Sequence, residues 1–334
     1  MVPTADIPDL VAAVNRLARG SVTVIGDAML DRYIYGTVRR VSPEAPLAVV
    51  VEEREVATPG GAGNVVRNLT ALGAAVAFVS VVGDDQAGSD LTSLIGGQPG
   101  VEPWLLVQGG RTTTVKTRYI ADGQQLMRAD REHIAPIHPK LLERMLRIAS
   151  DAMMATSVTV LSDYAKGLFA GGVASLLIAN ARKSGRIVVV DSREEDYSPY
   201  AGADIVTPNR HELAQATGMP VGTEPQIIAA AAELRRRHQF GAVLVTRGSD
   251  GMTLLNDDGA HHFAAEAAAV YDLAGVGDTV TATLAAGLAA GLEMVVATRL
   301  SNIAAGIAVG KPGIAVASVA EMLAELVPGQ TATI

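Results

Sequence analysis

Short apolar segments alternate with longer, helix-forming segments through the first 250 residues of the chain. The apolar segments are SVTVIGD (21–27), AFVSVVGD (77–84), VTVLSDY (158–164), RIVVVD (186–191), DIVTPN (204–209) and AVLVTRG (242–248). Between them lie segments rich in Ala, Leu or Ile, at 63–72, 86–95, 139–152, 171–184, 210–217 and 224–238. Continuous apolar runs are typical of strands buried on both faces of a parallel sheet. The alternation therefore predicts βαβ units with right-handed crossovers, and hence an α/β fold around a mainly parallel sheet.

The pattern changes after residue 250. A hairpin-like segment, GMTLLNDDGAHHFAA, is followed by two Ala-rich segments of helix length at about 276–291 and 294–309. We therefore expect the C-terminal third to flank the sheet and not to extend it.

Two other segments, at about 32–58 and 103–130, do not fit the βα alternation. Both alternate polar and apolar residues over short lengths, as half-exposed strands do. Each is too short to form a domain alone. We therefore expect one domain over 1–334, with these segments forming a small β-sheet lid over one edge of the main sheet.

Composition excludes several classes of function. The chain has no cysteine, which removes disulfides, thiolate nucleophiles and cysteine-bound zinc. Its net charge is −8 and no dense Lys/Arg cluster occurs, so a nucleic-acid surface is not expected. No stretch reaches the roughly 18 uninterrupted apolar residues of a membrane span. We expect a cytoplasmic protein with no membrane partner.

The stretch DLAGVGD (272–278) precedes an apolar helix. Successive N–H groups of Gly275, Val276 and Gly277 can point at one anion there, because the helix N-terminus adds its positive dipole end. An aspartate at such a site makes most sense as a general base beside a transferring phosphoryl group. Asp278 as a simple helix cap explains this motif equally well, and the motif alone leaves both interpretations open.

A second glycine segment, GGAGNVVRNLTALG (60–73), also leads into a helix. Its bare glycines let the backbone approach a ligand, and the Asn64 amide offers a donor and an acceptor for hydroxyl groups. As a dinucleotide motif it fails, because Val66 stands where the third glycine belongs. No G-x-x-x-x-G-K-S/T loop is present, so a phosphotransferase would need another phosphate cradle, which 272–278 supplies.

The segment Thr207-Pro208-Asn209-Arg210-His211-Glu212 opens a predicted helix at the end of a strand. Asn209 and Glu212 share one helix face and can hold hydrated Mg²⁺ near phosphates. A helix start with Pro208 near the first turn and Glu212 favouring the dipole is the alternative.

In this order and spacing, GGAGNVVRN, TPNRHE, TRGSDG and DLAGVGD resemble the PfkB or ribokinase family of carbohydrate kinases over about residues 20–318. More narrowly, VIGDAMLDRYIYG, RRVSPEAPLAVV, TTTVKTRYIADGQQLMRAD, LSDYAKG and GVGDTV resemble the bacterial D-glycero-D-manno-heptose 7-phosphate kinases. The resemblance implies a three-layer α/β/α ribokinase-like fold with a β-sheet lid, and ATP and Mg²⁺ as cofactors.

The resemblance also implies roles for individual residues. Asp278 becomes the general base, with the amides of Gly275, Val276 and Gly277 as an anion hole. The sugar would contact Asp31, Gly60, Gly61 and Asn64, and lid residues Arg40, Glu44, Lys116, Arg118 and Arg128, whose cations can neutralise a substrate phosphate. The nucleotide would contact Asn209, Glu212, Thr246, Gly248 and Asn302, with Glu212 holding Mg²⁺ through water.

The chain departs from these relatives at two places. Ser192-Arg193-Glu194 stands where heptose kinases usually carry Pro-Lys-Gly, so a cation is kept in a different setting. Leu273, Ala274 and Val276 stand where relatives favour Thr or Ser and Ala, which leaves a monovalent-cation requirement open.

The expected reaction is ATP-dependent phosphorylation of a sugar phosphate, above all D-glycero-D-manno-heptose 7-phosphate at O1 to give the 1,7-bisphosphate. Two alternatives stay open: a kinase of the same family for another sugar, sugar phosphate or nucleoside, and a non-catalytic sugar or nucleotide sensor. The lid implies a homodimer. The chain contains no H-x-G-H segment, so we expect nucleotide transfer to need a separate protein.

Overall fold

The computed structural model describes residues 7–42, 44–45, 47–266 and 270–327, with the side chains of Arg40 and Val41 outside the description. The strands are β1 (Ser21–Gly26), β2 (Ala28–Val41), β3 (Ala48–Gly61), β4 (Ala75–Gly83), β5 (Val101–Gln108), β6 (Thr114–Ala121), β7 (Gln124–Arg131), β8 (Val158–Asp163), β9 (Ile187–Ser192), β10 (Ile205–Val206), β11 (Ala242–Thr246), β12 (Met252–Asn256) and β13 (Gly259–Phe263).

The helices are α1 (Ile7–Arg16), α2 (Ala62–Ala71), α3 (Gln86–Gly96), α4 (Pro139–Ala155), α5 (Val173–Lys183), α6 (Arg210–Thr217), α7 (Glu224–His238), α8 (Val276–Ala289), α9 (Met294–Val309) and α10 (Val319–Leu326). In the described part of the chain, none of them is both long and apolar enough to cross a bilayer.

Within these ranges, nine strands form the main sheet in the order β13-β12-β11-β10-β9-β8-β1-β4-β5. The seven strands from β11 to β5 run parallel, β12 pairs antiparallel with β11, and β13 pairs antiparallel with β12. The carboxyl ends of the parallel strands therefore share one edge of the sheet. This confirms the predicted α/β class.

Two hydrophobic cores cover the two faces of the main sheet. Alternate strand residues divide between them: Val24 and Val189 pack with α1, α2, α8, α9 and α10, whereas Ile25 and Val190 pack with α4, α5 and α7. Side chains of successive strand residues point to opposite faces, so a fully apolar strand can serve both cores at once. The result is the expected three layers.

The second sheet has the order β3-β2-β6-β7. Strands β2 and β6 run parallel, and the outer strands pair antiparallel. It contains most of the two segments predicted to form a lid. The boundary at 103 was wrong, since residues 103–108 belong to β5 at the edge of the main sheet. An edge strand is half-exposed, as Trp104 and Val107 are, and so it shows the same alternation as a lid strand.

The expectation for the C-terminal third was also wrong in one respect. The hairpin β12–β13 extends the main sheet, with Val243 of β11 opposite Leu255 of β12. A short connection after a strand returns the chain alongside that strand, which allows antiparallel pairing without a crossover helix. The helices α8 and α9 do flank the sheet as predicted.

Candidate active site

Several of the predicted site residues lie where the parallel strands of the main sheet end. Asp163 and Asp191 lie at the carboxyl ends of β8 and β9, and Asn209 follows β10. Helix α8 begins beside them, with Asp278 in its first turn. Ligands of open α/β sheets bind at this edge, so this is the candidate active site.

Asp278 is buried, with 3% of its surface exposed, and both carboxylate oxygens accept hydrogen bonds. Nδ2 of Asn64 donates to Oδ2 at 2.8 Å, and the Tyr164 hydroxyl donates to Oδ1. Burial and the negative charge of Asp191 raise the pKa of Asp278 from its ordinary 3.8 to about 7, against the opposing effect of both hydrogen bonds. A carboxylate with this pKa can take up a proton near neutral pH.

The glycine turn before α8 brings an anion cradle against this carboxylate. Gly275 has φ +79°, and a Cβ there would lie 2.6 Å from Nδ2 of Asn64. Only glycine fits such a close approach in the left-handed region. The first N–H groups of an α-helix lack acceptors within the helix, so that of Gly277 is available to an anion. The Val276 N–H makes a long contact, 3.5 Å, with the carbonyl oxygen of Leu273.

The segment predicted to approach a sugar packs tightly around two aspartates. A Cβ on Gly60 would lie 1.8 Å from Oδ2 of Asp31, and one on Gly61, where φ is +57°, would lie 2.6 Å from the carbonyl oxygen of Asp27. Both positions require glycine. Asn64, in the first turn of α2, lies against the candidate base, and its Oδ1 accepts from Nη1 of Arg67 at 3.1 Å.

One face of the second sheet carries Asp31 and the predicted lid cations. The register places Asp31 beside Lys116, Lys116 opposite Asp130, and Arg118 opposite Arg128, so these side chains share one face. Nη1 of Arg118 donates to Oδ1 of the buried Asp31. Arg128 pairs with Asp130 at 2.9 Å, and burial lowers the pKa of Lys116.

Two residues of the predicted lid remain, Arg40 and Glu44. Glu44 is exposed in the turn between β2 and β3, where its N–H donates to Oγ of Ser42 at 3.1 Å. The side chain of Arg40 lies outside the described residues.

Asn209 and Glu212 form the start of α6. Oδ1 of Asn209 accepts from the Glu212 N–H at 2.9 Å, and Oε2 of Glu212 accepts from the Asn209 N–H at 2.8 Å. The helix start that the sequence left open as the alternative is present, with Glu212 in its first turn, and a capping box that was not predicted stabilises it. The other oxygen, Oε1 of Glu212, accepts from Nη1 of Arg193 at 2.5 Å.

Three other residues were predicted to contact the nucleotide: Thr246 and Gly248, at the end of β11, and Asn302, in α9. Thr246 ends β11 and forms a backbone bridge with Asn209, and Gly248 follows in a tight turn with φ +62°. Asn302 is buried in α9, where Nδ2 donates to the carbonyl oxygen of Ala264 at 2.7 Å.

Sequence reasoning gave no role to three residues that the structure brings to Asp278. Tyr164 follows β8 and touches the carboxylate, Asp191 ends β9 and raises its pKa, and Arg193 lies over the Tyr164 ring at 5.3 Å. Their place in the sequence could have indicated them, because each lies at or just after the end of an apolar segment. A parallel strand places the polar residues at its carboxyl end at the ligand-binding edge of the sheet.

A buried network holds Tyr164 in place. Oδ2 of Asp27 accepts from the N–H groups of Tyr164 at 3.0 Å and Lys166 at 3.1 Å. Asp163 accepts from the Ala165 N–H at 2.8 Å and from the Tyr200 hydroxyl at 2.6 Å. Burial and the charge of Asp163 raise the pKa of Asp27 to about 7. The loop after β8 is therefore fixed by carboxylates on two neighbouring strands.

Among the described residues, no cluster of three or more His, Asp or Glu side chains is arranged to hold a metal ion. One carboxylate oxygen nonetheless lacks a partner: Oδ2 of the buried Asp191 accepts no hydrogen bond. A hydrated Mg²⁺ ion that takes most of its ligands from phosphate and water needs only one or two such oxygens. Asp191 fits that requirement directly, and Glu212 lies nearby with both of its oxygens accepting hydrogen bonds.

Comparisons with known proteins agree with this geometry. The sequence model of a family described as "pfkB family carbohydrate kinase" matches residues 19–320. The "Bifunctional protein HldE" of Acidiphilium cryptum is 64% identical over 312 residues, which cover 93% of this chain and 64% of that protein. The protein of the same name from Paramagnetospirillum magneticum is 50% identical over 322 residues, which cover 96% of this chain and 66% of that protein. The chain thus spans less than two thirds of the length of these relatives.

Solved structures show the same fold at low sequence identity. Arabidopsis thaliana ribokinase, complexed with ribose and ATP, superposes with a TM-score of 0.73 at 22% identity, covering 92% of this chain and 98% of that one. Escherichia coli phosphofructokinase-2, in a tetrameric inhibited form, gives a TM-score of 0.76 at 18% identity, covering 92% and 99%. The predicted ribokinase-like fold is confirmed.

Proposed function

This chain belongs to the pfkB family of carbohydrate kinases, and from that premise we propose that it transfers the γ-phosphoryl group of ATP to O1 of D-glycero-D-manno-heptose 7-phosphate. The product is the 1,7-bisphosphate, and Asp278 is the general base. The sugar is proposed from the sequence resemblance to heptose 7-phosphate kinases described above.

One observation carries the proposed reaction: a buried carboxylate with a pKa of about 7 lies in the first turn of α8, directly beside an anion cradle. A negative charge next to a phosphate site is electrostatically unfavourable. Catalysis gives a reason for it: the carboxylate can accept a proton near neutral pH while the amides hold the phosphoryl group.

The proposed transfer is a single displacement. The sugar hydroxyl oxygen attacks the γ-phosphorus, its proton passes to a carboxylate oxygen of Asp278, and the bond from phosphorus to the β–γ bridging oxygen breaks to leave ADP. The N–H groups of Gly275, Val276 and Gly277 stabilise charge on the transferring group. Tyr164 and Asn64 hold the carboxylate in one orientation through their hydrogen bonds. Magnesium, when bound near Glu212 and Asp191, supplies positive charge to the phosphates.

At the other end of the site, the face of the second sheet suits a phosphorylated sugar. The buried Asp31 can accept hydrogen bonds from sugar hydroxyls, and Arg118 holds its carboxylate in place. Lys116 and Arg128 lie on the same face and can neutralise a phosphate distant from the reacting hydroxyl. We propose that this sheet acts as a lid that excludes water during transfer.

The outer strands of the lid also bear on assembly. They carry exposed apolar side chains, including Val51, Val56, Leu126 and Met127. An exposed sheet edge with apolar residues tends to pair with another chain. We propose a homodimer that buries these residues, in the cytoplasm, where ATP is available.

Sugar specificity is tested by measuring ADP release with a panel of acceptors. Heptose 7-phosphate should give turnover, and ³¹P NMR should show a new anomeric phosphate signal. Fructose 6-phosphate, mannose 6-phosphate, ribose and adenosine are the comparison acceptors. Turnover with one of these and none with heptose 7-phosphate would leave a kinase for another substrate. Binding without turnover of any acceptor would leave a sensor.

A further inference from the structure

Arg193 is a cation of the candidate site to which the proposed reaction gives no role. Its guanidinium lies between the start of α6 and the start of α8: Nη1 is 2.5 Å from Oε1 of Glu212, and a Cβ on Gly277 would lie 3.3 Å from Nη2. About a third of the side chain, 34%, stays exposed. A cation thus stands beside the anion cradle with a surface still open to the cleft.

The charges around Arg193 explain why it rests there. Asp191, Glu212 and Asp278 converge on this region, and the Asp191 carboxylate raises the pKa of the Arg193 guanidinium. Nη2 is nevertheless 3.9 Å from Oδ2 of Asp191, too far for a hydrogen bond, and that oxygen has no other partner among the described residues. Within the described part of the chain, the close contact of the guanidinium is the hydrogen bond from Nη1 to Glu212, so the guanidinium is held through this one nitrogen.

The ring of Tyr164 limits how the guanidinium can move. Its centre lies 5.3 Å from Arg193 Cζ, within the range of a cation–π contact. Because the Tyr164 hydroxyl is bound to Asp278, the ring is fixed relative to the base. A guanidinium sliding across this ring moves between Glu212 and the cradle at Gly277.

On the proposed kinase function, we infer that Arg193 is a γ-phosphate-binding residue, which leaves Glu212 and binds the terminal phosphoryl group when ATP enters the cradle. Its planar fork can reach two oxygens of that group at once. The exchange also releases Oε1 of Glu212 toward the hydrated metal. The site therefore distinguishes a nucleoside triphosphate from a diphosphate by this one side chain.

The test compares nucleotide binding in the Arg193→Met variant and the wild-type protein by calorimetry, with Mg²⁺ and either a non-hydrolysable β,γ-imido analogue of ATP or ADP. Loss of a charge-assisted contact should weaken binding of the ATP analogue about 30-fold. ADP affinity should change less than about threefold, since ADP lacks the group that Arg193 binds. Arg193→Lys should recover part of the loss, because it keeps the charge without the fork.

Arg186→Met is the matched control, since Arg186 precedes β9 at its opposite end and donates to the carbonyl oxygen of Met154 at 2.9 Å. Equal losses for both nucleotides, or no loss for either, would overturn the inference. If Arg193→Met does not fold, as judged by circular dichroism, Arg193→Gln is measured under the same criterion. Phosphoryl transfer by the wild-type protein is assayed in parallel, so that an active wild type with unchanged discrimination in the variants refutes the role of Arg193 alone.

Discussion

The hydroxyl of Tyr164 donates to Oδ1 of Asp278 while the backbone N–H of the same tyrosine donates to Oδ2 of Asp27. Two buried carboxylates, from the end of β1 and the start of α8, thus hold one residue from both sides. Both have a pKa raised to about 7. The position of the candidate base is therefore set by the loop after β8 as much as by its own helix.

Replacing the base should abolish turnover without abolishing binding. The Asp278→Asn variant keeps the shape of the side chain but cannot accept the proton, so kcat should fall by about 10²–10⁴-fold. Nucleotide affinity, measured by calorimetry, should stay within about threefold. Asp257→Asn, at an aspartate side chain 91% exposed, is the control and should leave kcat unchanged. A variant with wild-type kcat would assign Asp278 a structural role.

Activity should depend on the ionisation of Asp278. The carboxylate must be deprotonated to act, so kcat/KM should rise with pH to a plateau above an apparent pKa of about 7. The hydrogen bond from Tyr164 lowers this pKa. Tyr164→Phe should therefore move the rising limb to higher pH and reduce kcat/KM at pH 7 about tenfold, with recovery at pH 9. Tyr119→Phe, on the opposite face of β6 from Arg118, should not shift the limb. Identical profiles for Tyr164→Phe and the wild type would contradict the coupling.

Folding stability should carry the opposite pH dependence. Asp278 has its ordinary pKa of 3.8 in the unfolded chain and about 7 in the folded protein. Between these values the folded state binds more protons at this residue, so the free energy of unfolding falls as pH rises from about 4 to 7. Asp27 contributes in the same direction. Urea denaturation at pH 5 and pH 8 should show a smaller decrease for Asp278→Asn than for the wild type, and an equal decrease would remove this residue as a source.

Glycine at 275 should be essential for activity for a reason beyond its backbone angle. Gly275 and Gly218 have φ values of +79° and +69°, so alanine at either costs about 1–2 kcal/mol of stability. At Gly218 a Cβ would meet nothing within 4 Å, whereas at Gly275 it would lie 2.6 Å from Nδ2 of Asn64. Gly275→Ala should therefore lose at least about 100-fold in kcat, and Gly218→Ala should keep it. Equal kcat values in the two variants would exclude a role for this close approach.

We proposed that Lys116 neutralises the phosphate of the sugar, so replacing Lys116 should weaken binding of the phosphorylated sugar. Lys116 is half-buried on the face that carries Asp31, and burial lowers its pKa. Lys116→Met should raise the KM for the phosphorylated sugar about tenfold and leave the KM for ATP unchanged. Lys140→Met, at an exposed residue of α4, is the control. Parallel increases in both KM values would place Lys116 outside the sugar site.

The sequence predicted the parts of the site that lie within one segment. The turn at 272–278, with Asp278 in the first turn of the following helix, and the start of α6 after Asn209 are local patterns, and the structure contains both. The alternation of strands and helices was equally local, and the six strands predicted from it (β1, β4, β8, β9, β10 and β11) were found within a few residues, although β10 has only the two residues Ile205–Val206.

What could not be predicted depends on which strands are neighbours. Tyr164 and Arg193 follow β8 and β9, which the sequence separates by a helix but the sheet places side by side. Nothing in either segment indicates that both reach Asp278, some 85 residues or more further along the chain. The edge strand β5 was assigned to the lid for a related reason: periodicity reports that one face is exposed but not which sheet the strand joins.

The connection between lid and base has a mechanical consequence. Strands β2 and β3 pair from Val41 and Ala48 at the far end down to Ala28 and Gly61, and β3 runs into α2 without a loop. The first turn of α2 carries Asn64, which is bound to Asp278. If this sheet acts as the proposed lid, it links the proposed sugar site to the proposed base through Asn64. On the proposed function, sugar binding should orient Asp278 for proton transfer and a water molecule should not, so hydrolysis of ATP without sugar should be slow.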